Sequence, residues 1–225
     1  MNIEILDNSD LVAMRAASVI AEEAMKAVRL RGLFILAVSG GKTPWKMLRA
    51  LASKDLQWER IHLLQVDERL APYGHPDRNL THLLESLNET HSSLPVNIHA
   101  MPVEETDPEK AAALYEKTIG NIAGSPSIID LIHLGLGTDG HTASLIPGDP
   151  VLKITGRDVA TTGIYQGRRR LTLTYPLINR ARKILWVITG SEKKEMLQRL
   201  LAVDSLIPAG RISRKNSMIL TDVDD

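Results

Sequence analysis

Asp139 and His141 stand two residues apart in LGLGTDGHTASLIPG, residues 134–148. Histidine is the side chain whose ordinary pKa suits proton transfer near neutrality, and a neighbouring carboxylate can orient its ring and stabilise its cation. Gly135, Gly137 and Gly140 surround the pair, so the backbone here can wrap closely round a ligand. His141 is therefore the first candidate for a general base. The six other histidines, at 62, 75, 82, 91, 99 and 133, carry no catalytic assignment. His133 falls within an apolar run and reads as a packed or edge residue.

A second candidate is VSGGKTPW, residues 38–45. Its Gly41-Lys42-Thr43 suggests a nucleotide-binding P-loop, which needs Gly, four residues, then Gly-Lys-Ser/Thr. Leu36 stands where the first glycine belongs, so the match fails. Gly40 and Gly41 still let the backbone approach a ligand, and Thr43 as N-cap with Pro44 in the first helical position would start a helix. A glycine turn at a helix N-terminus binds anions of any kind. Taken alone, the stretch fits an ordinary strand-to-helix turn and a phosphate cradle equally. A third stretch, Asp67-Glu68-Arg69, follows the buried-type run ending at Val66 and reads as a loop. Three adjacent charges are costly to bury unless paired or bound to a ligand, though a solvated loop tolerates them.

These stretches depend on the elements before them. Apolar runs at Ile3–Leu6, Leu33–Val38, Ile61–Val66, Ile128–Leu134, Arg170–Thr174, Lys183–Thr189 and Ser217–Leu220 read as strands. Between them, Val12, Ala16, Val19, Ile20, Ala24, Ala27 and Val28 recur at helical spacing, with Gly32 as a stop. Further helices are expected after Pro44 to about Ser53, over 78–87, from Pro108 to about Asn121, around Leu177, and from Glu192 to Ala202. Strands alternating with helices predict an α/β fold with a mainly parallel sheet flanked by helices. No repeat or linker divides the chain, so residues 1–225 read as a single domain. In such sheets ligands bind beyond the carboxyl ends of the strands, which places the chemistry in the loops after Val38, Val66 and Leu134.

Lys+Arg and Asp+Glu balance at 27 each, which predicts no nucleic-acid or membrane partner and makes any anion site local. Cysteine is absent, so disulfides, thiolate metal sites and a Cys nucleophile are excluded. Neither a signal peptide nor a membrane-spanning run is apparent, and a cytoplasmic protein, a monomer or weak homo-oligomer, is expected.

Together the motifs resemble the 6-phosphogluconolactonase family of the pentose phosphate pathway. The matches are Ser39-Gly40-Gly41-Lys42-Thr43-Pro44, Asp67-Glu68-Arg69, the run from Gly135 to Gly148, RLTLTYPLIN (170–179) and Gly190-Ser191-Glu192-Lys193. They run in order along nearly the whole chain, and the long glycine-rich motif is the specific one. The resemblance implies the fold shared with glucosamine-6-phosphate deaminases, ribose-5-phosphate isomerases and CoA transferases. Deaminases are the nearest rival, but they carry Tyr where Arg69 stands, and a further acid-bearing segment where Thr142-Ala143-Ser144 follows His141. The implied reaction is hydrolysis of 6-phospho-D-glucono-1,5-lactone to 6-phospho-D-gluconate, without cofactor or metal. His141 would activate water and return the proton to the ring oxygen, and Asp139 would orient the imidazole or position the sugar. Ser39, Gly40, Gly41, Lys42, Thr43, Asp67, Arg69, Arg170 and Lys193 would bind the sugar and its phosphate. Two positions depart from the family. Arg78 replaces a usual Ser, where it would add a cation to the phosphate site or face solvent, and Ile146 replaces a commoner Phe.

Overall fold

The computed structural model describes residues 1–88 and 95–224; His91 lies outside them. In chain order the elements are β1 (Asn2–Ile5), α1 (Ser9–Arg31), β2 (Phe34–Val38), α2 (Lys42–Ala52), β3 (Ile61–Gln65), β4 (Asp67–Arg69), α3 (Asn79–Asn88), β5 (Asn97–His99) and α4 (Pro108–Ala123). They continue with β6 (Leu131–Leu134), β7 (Val159–Thr161), β8 (Arg170–Leu173), α5 (Tyr175–Arg180), β9 (Lys183–Ile188), α6 (Lys194–Leu201) and β10 (Ser217–Thr221). No helix among the described residues is long and apolar enough to cross a membrane.

Seven strands form a parallel sheet in the order β1-β10-β9-β6-β2-β3-β5. The run FILAV of β2 is buried at every position. Successive side chains of a strand point to opposite faces, so a continuous apolar run requires cover on both. Phe34, Leu36 and Val38 pack with α1, α2 and α3, through Val12, Ile20, Met47, Leu48 and Leu83. Ile35 and Ala37 face the other way, into a core with Tyr115 and Ile119 of α4, Leu197 of α6, and Val159, Leu171 and Leu173 of a smaller sheet.

The first helix follows its sequence signals. Asn8 Oδ1 accepts the backbone N–H groups of Asp10 and Leu11, Arg29 and Arg31 lie in the last turn, and Gly32 ends it at φ 80°. The face at Val12, Ala16, Val19, Ile20, Ala24 and Ala27 is buried, as its spacing predicts.

The smaller sheet departs from expectation. Asp67-Glu68-Arg69 is not a loop but β4, pairing antiparallel with β8 so that Asp67 opposes Thr172 and Arg69 opposes Arg170. The run beginning at Arg170 joins this sheet, of order β4-β8-β7, and not the parallel one. Acidic residues have low strand propensity, so only the pairing partner makes β4 a strand. The short β5 and β7 also carried no recognisable signal.

Candidate active site

From β2 the chain moves to one side through β3 and β5, then crosses back to β6 on the other side of β2. The carboxyl ends of β2 and β6 therefore flank a switch point, where the diverging connections leave a crevice. Ser39 ties the two ends together: its N–H donates to His133 Nδ1 (3.2 Å) and its hydroxyl to the His133 carbonyl (3.1 Å). His133 is fully buried, and burial lowers its pKa to about 3, so it is a neutral packed residue, as the sequence suggests. A cleft of about 540 Å³ opens over this point.

The glycine-rich turn after β2 forms one wall. Gly41 is the N-cap, Lys42 the first helical residue, and no side chain caps the turn. This corrects the expectation for Thr43 and Pro44, which lie inside the first turn. The Thr43 hydroxyl meets that of Thr189 (2.7 Å), so its side chain braces the loop after β9 and does not line the cleft. The first backbone N–H groups of a helix have no acceptor within it. Here the first turn also holds no acid, while Gly40, Gly41 and Lys42 face the cleft. Gly40 is required for contact: a β-carbon there would overlap the Asn79 side chain.

The opposite wall is the loop after β6. Thr142 Oγ1 donates to the Gly135 carbonyl (2.8 Å) and Gly137 N–H to the His141 carbonyl (2.8 Å), which folds the loop back on itself. His141 Nδ1 lies 2.5 Å from Asp139 Oδ1, which also accepts the His141 N–H at 3.0 Å. Partial burial pushes the Asp139 carboxyl up, but its bonds to His141 and the charge there outweigh this and hold it below the usual carboxylate range. His141 lines the cleft with Asp139 behind it. At Gly137 a β-carbon would overlap both the imidazole and the carboxylate, so glycine is needed for the pair to fit.

The floor comes from the small sheet. Asp67 is buried and accepts the Ser144 hydroxyl at 2.6 Å. Burial raises its pKa, against the opposing pull of Ser144, Arg170 and Arg69. Arg69 donates to the Asp77 carbonyl (2.8 Å) and to Asn79 Oδ1 (3.1 Å). Arg170 is buried beside Asp67, which favours its charged form, but burial dominates and lowers its pKa. Lys193 arrives from the turn after β9. In all, Lys42, Arg69, Arg168, Arg170 and Lys193 face two acids, Asp67 and Asp77, so a chain of zero formal net charge concentrates positive charge in one cleft. Among the described residues no group of three or more His, Asp or Glu side chains could hold a metal ion.

Arg78 neither lines the cleft nor faces solvent. It is 1 % exposed, with Nε 3.1 Å from Glu68 Oε2 and a terminal nitrogen 2.6 Å from Glu104 Oε1. Its charge is neutralised beneath the site, so it adds nothing to an anion pocket. His82 also lines the cleft, but its nitrogens are engaged by the Pro76 carbonyl (2.8 Å) and Glu85 (3.1 Å). Sequence reasoning passed over Arg168, Gln166, Asn79 and Trp45 as lining residues, and Ser144 as the partner of Asp67. One signal was present: Arg168 and Arg170 are two apart, the spacing that puts strand residues on one face.

Known proteins match the chain along nearly its whole length. The family model described as glucosamine-6-phosphate isomerases/6-phosphogluconolactonase matches residues 7–221. A 6-phosphogluconolactonase of Synechocystis sp. is 38 % identical over 207 residues, 90 % of this chain and 86 % of that one. One from Rattus norvegicus is 32 % identical over 229 residues, 96 % and 85 % of the two chains. Among solved structures, a 6-phosphogluconolactonase from Shewanella baltica superposes with a TM-score of 0.89 at 24 % identity, covering 100 % of this chain and 98 % of that one. The Thermotoga maritima 6-phosphogluconolactonase gives 0.85 at 26 % identity, covering 99 % of each. The motifs of both cleft walls fall within the matched span, and the chain belongs to the glucosamine-6-phosphate isomerase/6-phosphogluconolactonase family.

Proposed function

We propose that this chain hydrolyses 6-phospho-D-glucono-1,5-lactone to 6-phospho-D-gluconate, with His141 as a metal-independent general base. The enzyme class, a lactone hydrolase, rests on the relatives that share most of its length. The observation that carries the mechanism is the tie of His141 Nδ1 to Asp139 in the wall of a cation-lined cleft. With Nδ1–H donating to the carboxylate, the tautomer is set and Nε2 carries the lone pair. Nε2 takes a proton from water as the water oxygen bonds to C1 of the lactone. The tetrahedral oxyanion then collapses, the bond from C1 to the ring oxygen breaks, and the imidazolium returns its proton to that oxygen.

The lactone phosphate would rest on the N–H groups of Gly40 to Thr43 at the start of α2, with Lys193 and Arg170 adding charge. Ser39 shapes this end by joining β2 to β6. Asp67, its carboxylate held by Ser144, is suited to accept sugar hydroxyls, and Arg69 is placed to meet the oxyanion or phosphate. Beyond His141 the loop supplies Ser144 to Asp67 and brings no second acid, which disfavours amino-sugar chemistry. Such a reaction needs no partner other than its substrate and no cofactor.

The test is the rate of lactone opening above the spontaneous background. Purified protein should accelerate it, in the presence of a chelator too, and His141→Ala should lose most of the acceleration with an unchanged circular dichroism spectrum. Near wild-type turnover in His141→Ala would remove the proposed base.

A further inference from the structure

The hairpin joining β7 to β8 brings a tyrosine onto the Asp139–His141 pair. Tyr165 and Arg168 exchange backbone hydrogen bonds of 2.9 and 3.2 Å across the tip. The two residues between them, Gln166 (φ 51°) and Gly167 (φ 79°), both adopt left-handed backbone, the turn whose twist suits a two-residue hairpin. The tip is tethered as well. Arg168 Nε donates to Asp77 Oδ2 at 2.9 Å, and Gln166 Oε1 accepts from Arg170 at 3.2 Å. Tyr165 lies beneath the Arg170 guanidinium, 5.0 Å from its ring centre, and meets the His141 ring edge-on at 5.9 Å and 64°. Its hydroxyl donates to Asp139 Oδ2 at 3.3 Å. Asp139 is thus held at both oxygens, Oδ1 by His141 and Oδ2 by Tyr165.

We propose that Tyr165 is a positioning residue for this dyad: its hydroxyl holds the second oxygen of Asp139, and its ring edge sets the plane of His141. The proposal rests on the lactonase reading above. Asp139 sits on a glycine-rich loop with 38 % of its side chain exposed, so a carboxylate anchored only through Oδ1 could turn about its last torsion. A bond donated to Oδ2 also keeps Oδ1 turned toward the His141 ring. Burial and the neighbouring Asp139 push the Tyr165 phenol up, which keeps it a donor throughout the working range. The charged or titratable groups round the dyad are Tyr165, Arg168 and Arg170 from the hairpin, with Lys42, Asp67, Arg69, Asp77, His82 and Lys193 elsewhere on the cleft.

The discriminating variant is Tyr165→Phe, which keeps the ring and removes the donor. We expect kcat to fall about three- to tenfold with KM within about twofold, the effect of one hydrogen bond. The His141 titration, followed by the NMR signal of its ring Cε1–H and assigned with His141→Gln, should move up, because Asp139 loses a donor at Oδ2 and its charge falls more fully on the ring. Tyr165→Leu, lacking the ring too, should lose more activity and broaden that signal. An unchanged His141 titration in Tyr165→Phe overturns the proposal whatever kcat does, as does a raised KM at unchanged kcat, which would make Tyr165 a substrate contact. A titration that moves while the acidic limb of the pH–rate profile stays fixed supports the positioning role and counts against His141 as the base.

Discussion

Replacing Glu68 by glutamine puts an NH2 group where four donors converge on one buried carboxylate. Glu68 is 0 % exposed. Its Oε1 accepts the N–H groups of Arg69 and Asn79, and its Oε2 accepts Gln65 Nε2 and the Leu80 N–H, all at 2.8 Å, while Arg78 forms an ion pair with Nε 3.1 Å from Oε2. Whichever way the glutamine amide turns, two buried donors then face a donor. Each costs about 1–3 kcal/mol. Arg78 keeps Glu104 at 2.6 Å and the Ala71 carbonyl at 2.9 Å, so its charge is not orphaned, and the total stays near 3–5 kcal/mol. For a chain of this size that lowers Tm by about 6–20 °C. Calorimetry gives Tm, and lactone kinetics at 25 °C show whether KM rises, because Arg69 leans on Asn79, whose N–H rests on Glu68. The double variant Glu68→Gln/Arg78→Met should be less destabilised than the sum of its singles by at least about 1 kcal/mol. A Tm within 2 °C of wild type for Glu68→Gln would refute the reasoning, since no network of four donors could absorb the change so cheaply.

Gly137→Ala should cut kcat by about tenfold or more while Tm shifts little, because the added methyl displaces the half-buried His141 ring at the cleft wall and not the core; unchanged kcat would mean that the loop yields freely. His133 makes stability depend on pH. Its folded value of about 3 lies below the unfolded value of 6.5, so between them the unfolded chain binds the extra proton. Stability should be full above about pH 6.5 and fall toward pH 3, with His133 contributing up to about 1.4 kcal/mol per pH unit. Urea unfolding across that range should show a shallower dependence for His133→Gln, and equal slopes would remove His133 as the cause.

What the chain encodes locally was readable without coordinates. The apolar runs of β2 and β6, the buried face of α1 with its Gly32 stop, and the Asp139–His141 loop are short-range patterns. Periodicity, turn residues and side-chain chemistry at close spacing suffice for them. Even the cleft's place followed, because a parallel sheet puts its loops at one end. The small sheet was not readable, since β4 is a strand only by pairing with β8, about a hundred residues later in the chain. The same limit applied to single side chains. Thr43 looks like a cap until Thr189 claims its hydroxyl, and Arg78 looks like a free cation until Glu68 and Glu104 enclose it. Tyr165 carried no signal at all, because nothing in its neighbourhood along the chain says that a hairpin will carry it onto Asp139. Residue type and spacing determined which chemistry was possible; which partners each group met was decided by contacts between segments far apart in sequence, and those exist only once the chain has folded.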